Sequence, residues 1–325
     1  MARAGQSDRG WAGLLTACRS LTFEPHDAGA FLNSGGRYEL PLDEEFPFAI
    51  RLLHYSSRWR VFASTWHERL ELFIPIDGRT LFQMGEELID LQASDCLVVD
   101  NLKLHHVADF EGFDSRAVVV SFRPEFVYSL GSLSHDYVFL LPFYPPPDRR
   151  PRVLPLRSHP EAADALRRLV VAWTGAEPGP LRRAECRVAL LELLLELARR
   201  FRTPEPVQWE FLRQQKRSLR LKPLFDHIGQ HYAEKLTVAQ AAALAGMSEP
   251  QFMKTFKRVA GLTLVGYLNH VRLAAGVRLL RETSLSIAEV ASAVGFTDQS
   301  YFDKRFKRAF GATPRDFRAG RSESP

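Results

Sequence analysis

Apolar and polar positions alternate or cluster in short runs between residues 30 and 122, a pattern typical of β-strands. The clearest runs are RVFAST, RLELFIPI, RTLFQM, DCLVV and SRAVVVSF. Turn-forming residues separate these runs, among them Gly85 and the pair Asp77-Gly78. An Asp-Gly pair between two strands favours a tight hairpin, because such turns need positive φ angles. The pattern predicts an all-β barrel or sandwich with a hairpin at Asp77-Gly78.

Six prolines between positions 142 and 155 end the strand pattern, and two helices are predicted after them. The first runs from Pro160 to Trp173 with Ser158 as its N-cap, and the second from about Leu181 to Phe201. Leucines cover most of the circumference of the second helix, so it must be buried on several sides. It therefore packs under the barrel, meets a copy of itself in a dimer, or does both.

The last third of the chain contains an internal repeat, which follows a polar, arginine-rich stretch at 202–217 that is typical of an interdomain linker. LTVAQAAALAGMS (236–248) resembles LSIAEVASAVGFTD (285–298), and EPQFMKTFKRVAGLT (249–263) resembles QSYFDKRFKRAFGAT (299–313). Each copy predicts a capping box, a helix that ends at Gly246 or Gly295, a short turn, and a second helix. The second turn is one residue longer than the first.

A helix, a glycine turn and a second helix make a helix-turn-helix unit, whose second helix enters the major groove of DNA. The phenylalanines at 252 and 256, and those at 302 and 306, are four residues apart and share one face, so they anchor each second helix to its core. A single copy fits equally well an amphipathic helix with a solvated charged face. Two copies that match in cap, turn and anchors favour DNA binding. The predicted helix Leu264–Glu282 between them would hold both units on one side.

The charge distribution points to the same part of the chain. The protein carries a net charge of +5, but residues 203–325 have 19 Lys and Arg against 11 Asp and Glu, a net +8, whereas residues 1–202 carry −3. A local excess of this kind favours a polyanionic partner. Three scattered cysteines without a CxxC pair indicate a reducing cytosol, and no apolar run is long enough to predict a membrane span or a signal peptide.

Residues 219–318 resemble the DNA-binding domain of the AraC/XylS family of transcription regulators, most specifically in SIAEVASAVGFTDQSYFDKRFKRAFGATPRDFR (286–318). The resemblance implies two tandem units in adjacent major grooves. It also implies base contacts from the positions Pro250, Met253, Lys254, Ser300, Tyr301 and Lys304. The complete set of predicted DNA contacts is Pro250, Gln251, Met253, Lys254, Lys257, Arg258, Gln299, Ser300, Tyr301, Lys304, Lys307 and Arg308.

Two segments of the N-terminal half, TWHERLELFIPIDG (65–78) and DCLVVDNLKLHH (95–106), are similar to the two motifs of cupin barrels. Metal-binding cupins place two histidines, a glutamate and a later histidine around the ion. Here His67, Glu71 and His105 match three of these positions, but Thr65 occupies the first, and we therefore expect no metal and no cofactor. His106 competes with His105 for the last position.

A cupin interior lined by aromatic and polar groups suits a small-molecule effector. The candidate effector-binding residues are Phe62, Ser64, Trp66, His67, Glu71 and His105. The aromatic residues among them fit a role in the barrel core as well as one in a pocket, and the histidines fit hydrogen bonding to the barrel wall.

These observations predict an α+β protein in three parts: a cupin-like effector-binding β-barrel (1–145), a helical dimerisation region and linker (146–215), and an AraC-type all-α DNA-binding domain with two helix-turn-helix motifs (216–325). The expected function is sequence-specific transcription regulation without enzymatic activity, controlled by an effector for which a sugar is one candidate. The expected partners are double-stranded DNA, a second copy of the chain and RNA polymerase, with no membrane involved. The alternative is a metal-dependent cupin enzyme with an accessory nucleic-acid-binding domain.

Overall fold

The computed structural model describes residues 4–26, 40–56, 65–67, 69–99, 103–127, 136–144, 152–175, 179–201 and 220–319. The candidates Phe62 and Ser64, most of the run RVFAST and the predicted linker 202–217 lie outside these residues. The strands are β1 (Glu24–Pro25), β2 (Phe48–Ser56), β3 (Leu70–Pro75), β4 (Arg79–Met84), β5 (Glu87–Gln92), β6 (Asp95–Val99), β7 (His105–Phe110), β8 (Asp114–Phe122) and β9 (Val153–Pro155).

The helices divide into a group beside the sheets and a C-terminal group. The first group is α1 (Ala4–Arg19), α2 (Tyr137–Leu140), α3 (Pro160–Thr174) and α4 (Pro180–Arg200). The second is α5 (residues 220–231), α6 (Val238–Leu244), α7 (Glu249–Ala260), α8 (Leu264–Glu282), α9 (Ile287–Ala293), α10 (Gln299–Phe310) and α11 (Pro314–Arg318). This arrangement confirms the predicted α+β class, with a sheet-rich N-terminal part and a helical C-terminal part.

Two sheets enclose the interior of the N-terminal part, and together they are called the barrel. The larger has the strand order β1-β2-β8-β3-β6-β9 and the smaller the order β5-β4-β7. Strand β8 lies between β2 and β3 and is buried on both faces, which explains its continuous apolar run. Ala117 and Val119 of β8 belong to the cluster between the sheets, whereas Val118 and Val120 belong to the cluster beneath the helices.

The predicted hairpin at Asp77-Gly78 is wrong. Gly78 has the positive φ angle of 55° that such a turn needs, but β3 pairs with β6 and β8 while β4 pairs with β5 and β7. Asp77 accepts hydrogen bonds of 2.7 and 2.9 Å from the Arg116 guanidinium, which ties the turn to β8. The turn therefore carries the chain from one sheet to the other. The hairpin forms instead at Gly85, between β4 and β5.

Helices α1, α3 and α4 cover the outer face of the larger sheet. The predicted helices at 160–173 and 181–201 are confirmed, although His159 rather than Ser158 precedes α3 and provides no side-chain cap. Four leucines of α4 are fully buried against the chain's own core: Leu190, Leu193, Leu194 and Leu197. Burial of each leucine side chain stabilises the folded chain by about 1.5–3 kcal/mol. The leucine-rich face is thus largely used within one copy of the chain.

In the C-terminal part α8 separates two small aromatic cores. One contains Phe225, Phe252, Phe256 and Tyr267, and the other is built around Phe302 and Phe306. All six of these side chains are completely or almost completely buried. Within the described part of the chain, no helix combines the length and apolarity that crossing a bilayer requires.

Candidate nucleic-acid interface and barrel cavity

Each repeat folds locally as its capping and turn residues dictate. The hydroxyls of Thr237 and Ser286 accept hydrogen bonds of 3.2 Å from the backbone N–H groups of Gln240 and Glu289, whose side chains accept hydrogen bonds from the N-cap backbone N–H groups in return. Both capping boxes predicted from sequence are therefore present. The turns have positive φ at Gly246 (62°) and Gly295 (88°), the region where only glycine is unstrained. Four residues separate α6 from α7, and five separate α9 from α10, as the sequence predicts.

The two units are locked together by backbone contacts that need a glycine and an arginine. A Cβ atom on Gly295 would lie 2.3 Å from the carbonyl oxygen of Ala233, so the second unit's turn packs directly on the chain that follows α5. Arg272 of α8 donates hydrogen bonds of 2.8 and 2.9 Å to the carbonyl oxygens of Tyr232 and Glu234 in the same chain segment. These contacts fix the second unit relative to the first.

The candidate recognition helices α7 and α10 bury their phenylalanines and leave the opposite face to solvent. Eleven of the twelve predicted DNA contacts are exposed: Pro250, Gln251, Met253, Lys254, Lys257, Gln299, Ser300, Tyr301, Lys304, Lys307 and Arg308. Arg258 is half-buried. The structure therefore places the whole predicted set on the outward faces or at their edge.

One neighbour of these residues was not identified from the sequence. Buried Asn269 of α8 donates a hydrogen bond of 3.1 Å from its Nδ2 to the hydroxyl of Tyr301 on α10. The Asp298 carboxylate caps the same helix by accepting from the Tyr301 backbone N–H at 2.6 Å. Tyr301 is thus held in place at both ends, while its ring remains half-exposed. The signal that could have identified Asn269 is an uncharged polar residue that directly follows the apolar Tyr267 and Leu268.

The barrel brings three of the predicted effector residues together. The Nε2 of His67 lies 3.1 Å from Glu71 Oε2, and the Nε2 of His105 lies 3.8 Å from Glu71 Oε1. All three side chains are buried. Glu71 and His105 line a cavity of about 50 Å³ that opens to solvent, and His67 is buried beside it. His105 is therefore the histidine that faces Glu71, although His106 also lines the cavity.

Trp66 does not line the cavity, contrary to its place among the effector candidates. It is completely buried, and its ring centroid lies 5.1 Å from that of Phe225 and 6.3 Å from that of Tyr267, both in the C-terminal part. The backbone is extended here, so successive side chains point to opposite sides. With His67 directed at Glu71, Trp66 must point outward.

Charge and burial determine how Glu71 and His67 ionise. Burial alone would raise the pKa of Glu71, but His67, the Arg69 guanidinium and His105 outweigh it and hold that pKa below its usual value. The carboxylate is therefore ionised, with Arg69 Nη2 at 3.4 Å and the Ser121 hydroxyl donating to it at 3.2 Å. Burial, and to a lesser extent the Arg69 charge, lower the pKa of His67 to about 3, so its imidazole is neutral at neutral pH.

Hydrogen-bond acceptors outnumber the donors that His67 can supply. Its Nδ1 lies 2.9 Å from the carbonyl oxygen of Arg69, while its Nε2 faces the Glu71 carboxylate. A neutral imidazole carries one N–H and can donate to only one of these acceptors. The Nδ1 of His105 similarly lies 2.8 Å from the carbonyl oxygen of Lys103. A group that supplies hydrogen-bond donors would satisfy this site.

The same atoms have a partial match to a metal site. One ligand atom each from His67, Glu71 and His105 lies within 4.8 Å of the others, and two nitrogens with one carboxylate oxygen suit zinc. However, the fixed positive charge of Arg69 lies against the same carboxylate. The set fits a divalent cation in ligand type but not in charge.

Comparison with known proteins agrees with the geometry of the C-terminal part. Residues 241–320, from α6 to beyond α11, match a family described as a helix-turn-helix domain. An uncharacterised HTH-type transcriptional regulator of Bacillus subtilis, YdeC, is 24% identical over 265 residues, which cover 78% of this chain and 84% of YdeC. The HTH-type transcriptional regulator MtrA of Neisseria gonorrhoeae is 35% identical over 99 residues, which are 30% of this chain and 33% of MtrA.

Among solved structures, ToxT from Vibrio cholerae aligns with a TM-score of 0.49 at 11% identity and covers 84% of this chain and 98% of ToxT. The match to MtrA, although higher in identity than that to YdeC, spans only about a third of MtrA.

Proposed function

We propose that this chain is a DNA-binding transcription regulator of the AraC/XylS type and that its two helix-turn-helix units bind one duplex in adjacent major grooves. The observation that carries the proposal is the duplicated unit, whose two recognition helices bury their phenylalanines and expose their polar and basic faces. Recognition helices about one DNA turn apart, ~34 Å, enter the groove from the same side.

Base contacts and phosphate contacts divide along each recognition helix. The residues of the N-terminal half are proposed to face the bases, with Lys254 and Lys304 as donors to guanine. Pro250 and Met253 offer apolar contact, so the first unit would recognise shape and thymine methyl groups more than hydrogen-bonding edges. The basic pairs Lys257-Arg258 and Lys307-Arg308 lie at the helix ends and would contact phosphates.

An effector with several hydrogen-bond donors fits the barrel cavity best. Glu71 is ionised and buried, and His67 faces more acceptors than it can satisfy. Hydroxyl groups supply donors without adding charge beside Arg69, which supports a neutral polyol or sugar as the effector class. Enzymatic activity is not part of this proposal, because YdeC and MtrA are both described as transcriptional regulators and the charge of Arg69 disfavours a metal centre.

A second copy of the chain is the proposed partner of the surface between α3 and α4. Val171, Leu181 and Val188 are 48%, 74% and 55% exposed there, while Leu191 and Leu195 are half-buried. The apolar surface available for a dimer is therefore at the N-terminal half of α4, not at its centre.

We also assign RNA polymerase as a partner and the cytosol as the compartment. The cytosol agrees with the buried free cysteines Cys18, Cys96 and Cys186.

The DNA proposal predicts different effects for two basic residues on α10. With the full chain and a duplex selected from a random-sequence pool, Lys304→Ala should cost about 1–3 kcal/mol and relax discrimination at one base pair. Arg308→Ala should weaken binding to selected and scrambled duplexes alike and lower the salt slope by about one unit. Titrating each variant with the selected and the scrambled duplex measures both affinities and separates a base contact from a phosphate contact. Equal loss on both duplexes for Lys304→Ala would contradict the assigned orientation of α10.

The effector proposal predicts stabilisation by neutral sugars that depends on Glu71. A panel of monosaccharides should contain a member that raises the melting temperature of the full chain, since a ligand at 100 times its Kd adds about 2.7 kcal/mol. Glu71→Gln should lose this shift, whereas Glu87→Gln, at an exposed position of β5, should keep it. An equal shift in Glu71→Gln, or a response to Zn²⁺ that requires His67, would reject the proposal in favour of another site or of the metal-dependent alternative.

The dimer proposal predicts that charge at the exposed apolar surface produces monomers. The wild-type protein should sediment with the mass of two chains. The Leu181→Glu and Val188→Glu variants should sediment with the mass of one chain and keep their helical content. Leu88→Glu is the matched control, because Leu88 is 57% exposed on β5 and lies outside this surface. A wild-type monomer at about 100 µM, far above the Kd of a stable dimer, would show that the surface has another role.

A further inference from the structure

One part of the barrel wall has the cavity on its inner side and the DNA-binding domain on its outer side. Thr65 and His105 form an antiparallel bridge, with N···O distances of 2.9 Å in both directions, and both line the cavity. Between Thr65 and His67, the side chain of Trp66 passes outward into the core formed by α5, α7 and α8. Trp66 is therefore the next residue along the chain from the bridge at the cavity wall.

The outer contact extends beyond Trp66 to the end of the first recognition helix. Leu104, next to His105, is 2% exposed and belongs to the same aromatic core as Trp66. The hairpin turn at Gly85 is held by a 2.7 Å hydrogen bond from its N–H to the Leu104 carbonyl oxygen. This turn packs on Gly261, the C-cap of α7, so closely that a Cβ on either glycine would lie 3.3 Å from the Cα of the other.

Helix α8 links this contact to the second recognition helix within one turn. Tyr267 packs on Trp66, and Asn269, two residues later, holds Tyr301 of α10. Burial and the neighbouring His270 lower the pKa of His106 on β7 to about 3, and burial and Arg305 of α10 lower the pKa of His270 to about 4. His270 is therefore within electrostatic range of both the barrel and α10. Taken together, Tyr267, Asn269 and His270 of α8 therefore face both the barrel wall and α10.

The barrel does not cover the predicted DNA-contacting faces. The side chains of Met253 and Lys254 on α7, and of Ser300 and Lys304 on α10, are exposed in the same arrangement that buries Trp66. The barrel therefore does not bury these residues. What the barrel can change is the orientation of α8, and with it the relation between the two recognition helices.

Resting on the proposed function, we infer that the Trp66 contact with Phe225 and Tyr267 couples the cavity to α10, so that the state of the cavity sets the affinity for DNA. The outer side of the wall is packed among completely or almost completely buried side chains, where small shifts are passed on because there is no free space to absorb them. Trp66 and Asn269 are positioning residues in this scheme. The docked arrangement orients α10 in advance and raises affinity for the selected sequence.

A double-mutant cycle tests the coupling without knowledge of the effector. The full chain is titrated with a duplex selected from a random pool by the wild-type protein. Glu71→Gln, which alters the cavity alone, should change affinity about fivefold or more, within the usual range of allosteric coupling. In the Trp66→Ala background the effect of Glu71→Gln on the affinity for DNA should fall below about 1.5-fold, because the contact that couples the cavity to α10 is absent. Trp173→Ala, which removes a tryptophan from α3 far from this contact, should leave the Glu71→Gln effect intact.

A second readout covers variants that fold poorly or bind DNA weakly. Hydrogen exchange of the backbone amides of α8 and α10 should accelerate in Trp66→Ala and in the milder Trp66→Phe, but not in Trp173→Ala. An effect of Glu71→Gln that persists without Trp66, or unchanged exchange in α8 and α10, overturns the coupling. If the wild-type chain selects no duplex at all, the proposed DNA-binding function is rejected. Hydrogen exchange then tests separately whether the Trp66 contact constrains α8.

Discussion

The packing of α8 between two aromatic cores is the constraint on which the C-terminal part depends. Its N-terminal half contributes Tyr267 to the core of the first unit, and its C-terminal half supplies Gly276, against which the ring of Phe302 packs within 3.3 Å of where a Cβ would lie. A small helix-turn-helix unit buries too little apolar surface to be rigid alone. Shared packing on one 19-residue helix gives both units a fixed relation, which binding to two grooves of a straight duplex requires.

The barrel depends on α8 in a different way, because it uses the same helix as an outer support. Trp66 is among the largest completely buried side chains of the chain, and it is buried by the other domain. The cavity side of the wall is polar: it carries the ionised carboxylate of Glu71, with the neutral imidazole of His67 and the guanidinium of Arg69 each within hydrogen-bonding range of that carboxylate. The cavity wall and the domain contact therefore share a single layer of backbone.

Local signals in the sequence were sufficient for the helical part and insufficient for the barrel. Capping boxes at Thr237 and Ser286 and the glycines that end each first helix act within a few residues, so they specify the repeat without reference to the rest of the chain. The partners of β3 and β4 are set by distant strands, which is why Asp77-Gly78 indicated a turn correctly and a hairpin wrongly. The direction of Trp66 likewise depends on which side of the strand the C-terminal domain covers. Helix α1 was not predicted, although Trp11, Leu14 and Cys18 lie at helical spacing and are all buried.

The central claim is that two recognition helices, held by α8, contact one duplex in adjacent grooves. Hydroxyl-radical footprinting of the full chain on a selected duplex tests it most directly. The account predicts two protected segments on one face of the DNA, with centres about 10–10.5 base pairs apart, since this is the separation of successive major grooves. A single protected segment, unchanged when the basic residues of α7 are replaced, would show that only α10 binds and would contradict the account.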